Sequence, residues 1–127
     1  GGLALSHIRR PYRGSVHALH AETGAPLWTF AAAPMDRMMP MGQLYCSMVP
    51  RLNMVDSFGG PTVGSGGTVY IGWQGGVLYA IDGRTGELIS SFDSHAGTQA
   101  SAAFGLGGAL IIPMGRHTFC FSAAASK

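Results

Sequence analysis

Charge is what this sequence has least of. Asp, Glu, Lys and Arg together make up 11% of its 127 residues, against about 25% in an ordinary soluble domain. With 46% hydrophobic residues, the shortage of charge excludes a self-repelling disordered segment. It equally excludes a coiled coil, which needs abundant Glu and Lys at heptad spacing. A net charge of +2 is too mild for a nucleic-acid partner, which calls for a basic stripe. Cysteine is nearly absent as well: Cys46 and Cys120 stand alone, so no zinc ribbon and no disulfide framework can be built from spacing. Long apolar runs are missing too. The uncharged stretches 57–81 and 96–115 are broken by Gly, Pro, Ser, Thr and Gln, short of the roughly 18 apolar residues a membrane span requires. No P-loop, His-Glu-x-x-His or nucleophile elbow occurs.

What is present is glycine, 20 residues of it, punctuating short β-branched and aromatic runs. Thr68 to Trp73 and Val77 to Ile81 lie between Gly66-Gly67, Gly75-Gly76 and Gly83, the pattern of strands joined by tight hairpins. No stretch sustains a helical period, so an all-β fold is expected. The chain also repeats itself. Gly14-Ser-Val-His-Ala-Leu-His-Ala-Glu-Thr-Gly-Ala-Pro-Leu-Trp-Thr-Phe30 aligns with Gly76-Val-Leu-Tyr-Ala-Ile-Asp-Gly-Arg-Thr-Gly-Glu-Leu-Ile-Ser-Ser-Phe92 at an offset of 62, the distance from Gly14 to Gly76. Gly67 to Ile71 aligns with Gly108 to Ile112 at an offset of 41, where Leu78 meets Phe119 and Ala80 meets Phe121. An interval near 41 suits one four-stranded propeller blade. The longer offset is one blade plus an insertion between Pro34 and Phe58.

These residues carry a family resemblance. Ala80-Ile-Asp-Gly-Arg-Thr-Gly-Glu-Leu-Ile-Ser90 and Ala18-Leu-His-Ala-Glu-Thr-Gly-Ala-Pro-Leu-Trp28 resemble the tryptophan-docking repeat of pyrroloquinoline-quinone (PQQ)-like β-propellers, Ala-x-Asp-x-x-Thr-Gly-x-x-x-Trp. The resemblance assigns blade-docking roles to Ala18, Thr23, Gly24, Trp28, Ala80, Asp82, Thr85 and Gly86. Each copy departs once: His20 stands in the place of Asp, and Ser90 in the place of Trp. In the family that Trp packs between adjacent blades, so Ser90 is expected to weaken its seam.

The implied organisation is an N-terminal arm 1–14, a PQQ-like segment 15–122 with a Met-rich insertion at 34–57, and a tail 123–127. By strand, with A innermost, it reads C and D of one blade near 15–21 and 26–30, a complete blade near 59–92, and A to C of a third from near Ala100. This is an open, partial propeller of about two blades, because a closed ring takes about four to eight. Its lateral faces are expected to be apolar, as inner blade strands have neighbours on both sides.

The resemblance also raises catalysis, since many PQQ-type propellers are quinoprotein alcohol dehydrogenases with a quinone, a Ca²⁺ bound by oxygen ligands and often a vicinal disulfide. None of those residues can be carried over, and no catalytic or cofactor-binding residue is assigned. PQQ is expected only if the chain belongs to a larger enzyme whose active-site residues lie outside it. Asp82 sits where a carboxylate caps a turn.

The insertion holds six of the seven methionines, and two readings of it stand. Met35, Met38, Met39, Met41 and Cys46 offer soft sulfur ligands suited to Cu(I). The leading reading is that Met38, Met39, Met41, Met48 and Met54 form an adaptable protein interface, with Cu(I) the lesser one and no metal site assigned. Pro34, Pro40 and Pro50 argue for an irregular loop. His17 and His20 fall on opposite faces of a strand and cannot chelate together. The leading expectation is a non-catalytic interaction subunit within a larger assembly, as in the bacterial outer-membrane assembly lipoprotein that uses such a propeller to bind partners. A narrower version is an accessory subunit of a membrane-bound or organellar energy complex, with peripheral membrane association. Closure of a ring by several copies is the weaker expectation, and an extracytoplasmic or organelle-luminal compartment follows from the resemblance alone.

Overall fold

The computed structural model describes residues 13–35 and 58–122. In them, nine strands form three antiparallel sheets. β1 (Ser15–Leu19) pairs with β2 (Pro26–Ala31). The second sheet runs β3 (Thr62–Val63), β4 (Thr68–Gly72), β5 (Val77–Asp82) and β6 (Leu88–Asp93), in that order. The third holds β7 (Ala103–Phe104), β8 (Leu110–Met114) and β9 (His117–Phe121). Each strand pairs with its neighbour in sequence, and none of the sheets closes into a barrel. Among the described residues the only helical piece is a 3-10 turn at Leu106–Gly108. The all-β class and the open, partial-propeller architecture are as expected, and the sheets fall on the strand positions read from the repeat.

Side-chain alternation explains why the middle sheet has so little charge. Successive residues of a strand point to opposite faces. Val69, Ile71, Tyr79 and Ile81 face the first sheet, where they pack with Ala32, Met35 and Trp73 and with the half-buried Val16, Trp28 and Phe30. Leu78, with the half-buried Tyr70 and Phe92, faces the third sheet and meets Leu110, Ile112, Met114, Phe119 and Phe121. A sheet covered on both faces reads as nearly continuous apolar sequence.

Between the second and third sheets the chain returns along the inner edge, close to backbone. A Cβ on Gly59 would fall on the Ala100 carbonyl, and one on Gly97 on the Gln74 carbonyl. Hydrogen bonds pin this return. Thr62 Oγ1 donates to Ala102 O at 2.6 Å, Thr98 Oγ1 to Pro113 O at 2.7 Å, and Gln99 Nε2 to Gln74 Oε1 at 2.9 Å.

Two sequence expectations need correction. The match of Leu78 with Phe119 and Ala80 with Phe121 is wrong by one residue. Ile71 pairs with Tyr79 and Ile112 with Phe119, so Phe119 corresponds to Tyr79 and Phe121 to Ile81. The cause is the hairpin. Three residues, Gln74 to Gly76, separate Trp73 from Val77, whereas only Gly115 and Arg116 separate the paired Met114 and His117. A slip of one residue turns a strand's side chains to the opposite face. The outward face of the first sheet, expected to be apolar, is mixed: Leu19 and Leu27 are 57% and 61% exposed, and beside them runs a polar row. Ser15 Oγ lies 2.8 Å from His17 Nε2, and His17 Nδ1 lies 3.0 Å from Thr29 Oγ1.

Candidate functional site

The repeat turns are built alike, bond by bond. After β5, Asp82 N–H donates to Glu87 O and Gly86 N–H to Asp82 O, both at 2.8 Å. After β1, His20 N–H donates to Ala25 O and Gly24 N–H to His20 O, also both at 2.8 Å. Thr85 Oγ1 accepts from Glu87 N–H at 3.2 Å and Thr23 Oγ1 from Ala25 N–H at 3.3 Å. Gly24 (φ 70°) and Gly86 (φ 77°) supply the left-handed residue that ends each turn at no steric cost. Asp82 Oδ1 caps its turn by accepting from Arg84 N–H at 2.8 Å and Thr85 N–H at 3.2 Å. The Arg84 N–H is the main reason its carboxyl is held below the usual carboxylate range, helped by Thr85 N–H and the Arg84 charge against a smaller opposing effect of burial. His20 fills the same place with a ring nitrogen: Nδ1 accepts from Glu22 N–H at 3.3 Å.

Trp28 uses one turn to lock two sheets together. It sits opposite the small Ala18 on β1 and reaches across to the turn after β5. There Nε1–H donates to Gly83 O at 2.8 Å, and the indole lies so close to Gly86 that an added Cβ would sit 2.8 Å from the ring. The docking residues Ala18, Thr23, Gly24, Trp28, Ala80, Asp82, Thr85 and Gly86 therefore fall in two equivalent turns and the strands that flank them, with one indole spanning from the first blade to the second.

The second seam repeats the ring pair of the first but not its indole. In the first, Phe30 meets Tyr79 with centroids 5.0 Å apart and planes at 63°. In the second, Phe92 meets Phe119 at 5.0 Å and 62°. Two residues before each Phe on the outer strand comes Trp28 in one case and Ser90 in the other. Ser90 sits opposite Ala80 as Trp28 sits opposite Ala18, yet it has no ring to bridge the gap. Phe121, standing where Ile81 stands, turns its ring to Phe92 at 5.1 Å. That leaves a groove of about 530 Å³.

Its walls are two facing rows of paired residues. Tyr70, Ala80 and Ser90 cross the second sheet, and Phe104, Leu110 and Phe121 cross the third. Leu78 and Phe92 form the next row inward, and Ser91, Ser122 and Gly108 complete the lining. The volume lies within the roughly 300–1,000 Å³ of ordinary ligand clefts. Among the described residues the lining has rings and hydroxyls but no carboxylate, imidazole, amine or thiol. Sequence reasoning singled out Ser90 but missed the groove, because the opposite wall comes from a different repeat. The signal available was the coincidence of Phe30 with Phe92 beside the mismatch of Trp28 with Ser90.

Of the sulfur candidates in the insertion, only Met35 lies among the described residues. Met35 is only 6% exposed and belongs to the core against Ala32 and Tyr79. Met38, Met39, Met41, Cys46, Met48 and Met54 lie outside the described residues, as does any pairing of Cys46 with the exposed Cys120. Among the described residues no three His, Cys, Asp or Glu side chains converge, and no helix is long and apolar enough to cross a membrane. A quinone–calcium centre does not fit the carboxylates described. Asp82 Oδ1 is engaged by its own turn, Asp93 Oδ1 accepts from His95 N–H at 2.8 Å, and Glu22 and Glu87 are exposed turn residues.

Consecutive antiparallel sheets stacked face to face, with an outer-strand indole docked on the next sheet's Thr-Gly turn, are blades of a β-propeller. Residues 12–120 match the PQQ-like repeat family described as outer membrane protein assembly factor BamB, and the chain belongs to that family. No curated protein matches it.

Proposed function

We propose that this chain is a non-catalytic interaction module, a set of PQQ-like blades that docks within a larger assembly. The observation that carries this reading is the groove beside Ser90. It is concave, and among the described residues its walls are set with the rings of Tyr70, Phe92, Phe104 and Phe121. An aromatic cleft of this size suits the binding of a partner group. The matched family's description, an assembly factor, points the same way. The rival is a segment of a PQQ-dependent alcohol dehydrogenase with its active-site residues outside this chain.

Native mass measurement on the tagged chain isolated from its source, alongside alcohol-dependent dye reduction with added PQQ and Ca²⁺, separates the two. The module reading expects stoichiometric partner subunits and no dye reduction. A lone, well-folded monomer, or PQQ-dependent dye reduction, would overturn it.

A further inference from the structure

We infer that the groove between the second and third sheets receives an indole side chain from a partner protein, in the place where the first seam holds its own. The inference rests on the interaction-module reading and names the chemistry of the segment that is bound. The molecule itself provides the template. Both seams share the same T-shaped ring pair, 5.0 Å apart at 63° and at 62°. Both place a small alanine opposite the docking position, Ala18 beside Trp28 and Ala80 beside Ser90. In the first seam an indole fills the space between the sheets. In the second the described residues leave a groove at the equivalent place, lined by Phe121 and by Tyr70 and Phe104, which meet edge to face with centroids 5.9 Å apart; the ring surfaces turned to the groove suit another aromatic group. Ser90, paired with Ala80 on the face that lines the groove, offers a hydroxyl that can accept from an indole N–H.

The lip of the groove supports a macromolecular donor. Leu106, on the 3-10 turn that also contributes Gly108 to the lining, is fully exposed at 100%, and Phe104 is 45% exposed. An apolar rim continuous with an aromatic groove is the surface expected to flank an anchoring side chain on a docked segment.

The test uses a short capped peptide, Gly-Trp-Gly carrying 5-fluorotryptophan, titrated into the chain and followed by ¹⁹F NMR, with Gly-Leu-Gly as competitor. The expected result is saturable binding at least tenfold tighter than that of the leucine peptide. Intermolecular contacts should map to Tyr70, Phe104 and Phe121. Ser90→Trp fills the groove from within, and Ala80→Leu occupies it from the neighbouring strand. Each is expected to weaken binding at least tenfold while the β8 and β9 amide shifts persist. No saturable binding, no preference over leucine, or contacts mapping elsewhere would each overturn the inference, whether or not either variant folds. Unchanged binding by folded variants would overturn it too. Neither native mass nor dye reduction reads this groove, so failure here is distinct from failure of the module reading.

Discussion

Trp28→Ala tests the seam logic most directly, because this one side chain makes two separable contributions. Truncating a fully buried aromatic residue costs about 3–5 kcal/mol, but Trp28 is only half-buried, which lowers its packing contribution to about 2 kcal/mol. The bond from Nε1–H to Gly83 O, 2.8 Å long, adds about 1 kcal/mol net. The sum, about 3 kcal/mol, corresponds to roughly a 10 °C fall in Tm for a domain of this size. Trp28→Phe keeps most of the ring contact and loses the bond, so it is expected to cost less than half as much. Urea unfolding at constant m-value measures both.

Hydrogen exchange then locates the effect. Protection of the Asp82 and Gly86 amides, which close the turn under the indole, should fall in Trp28→Ala. The β8 and β9 amides, which belong to the other seam, should change only with global stability. A loss below about 0.5 kcal/mol, typical of an exposed surface change, would refute the claim that Trp28 fastens the seam. So would a loss of protection confined to β8 and β9.

Other consequences are simpler. The Asp82 carboxyl has a lowered pKa in the fold, so its contribution is complete above the ordinary carboxylate range and is lost as pH falls through the lowered value; Asp82→Asn should flatten the acid limb of the urea midpoint against pH. Burial raises the Tyr79 phenol, opposed in part by the Ala33 N–H it accepts and aided by the Asp93 charge. Its contribution is therefore complete below the ordinary tyrosine pKa and is lost as pH rises through the raised value. Tyr79→Phe should remove that alkaline loss and cost about 1 kcal/mol at neutral pH by orphaning Ala33 N–H. Gly59→Ala drives a methyl into the Ala100 carbonyl and should cost about 2 kcal/mol. Gly66→Ala meets nothing within 4 Å and should stay within about 0.5 kcal/mol; equal urea midpoints for the two variants would contradict the close approach.

Much of the blade was legible because the information is local. Gly-bounded runs mark strands, and Thr-Gly marks the turn. The offset of Phe30 from Phe92 even anticipates the equivalent ring pairs of the two seams. Illegible features were those decided by one residue or by three dimensions. The hairpin after Met114 is one residue shorter than its counterpart, which moves Phe119 and Phe121 into the seam and spoils a fixed-offset alignment. His20 looks like a lost cap, yet its ring nitrogen accepts the Glu22 N–H in the manner of Asp82. Met35 reads with the sulfur cluster of the insertion but packs in the core. The groove needs two rows from different sheets, and no single stretch of sequence contains both.

The low charge and the missing indole have one physical root. Blades hold together through apolar faces, so charge is excluded from the seams and a seam's strength depends on how fully its rings fill the gap. At the first seam Trp28 reaches across and bonds to Gly83 O. At the second the same framework is kept, down to the angle of the ring pair, while the residue that would close it is a serine. A core that preserves its surroundings but omits the closing ring gives up stability at one place, and such local departures concentrate where a surface is kept open for binding. Were the gap merely tolerated, Ser90→Trp would raise stability at no cost to any interaction. If the gap is kept for a partner, the same substitution raises stability and abolishes the docking, and that trade-off is the property by which the second seam should be judged.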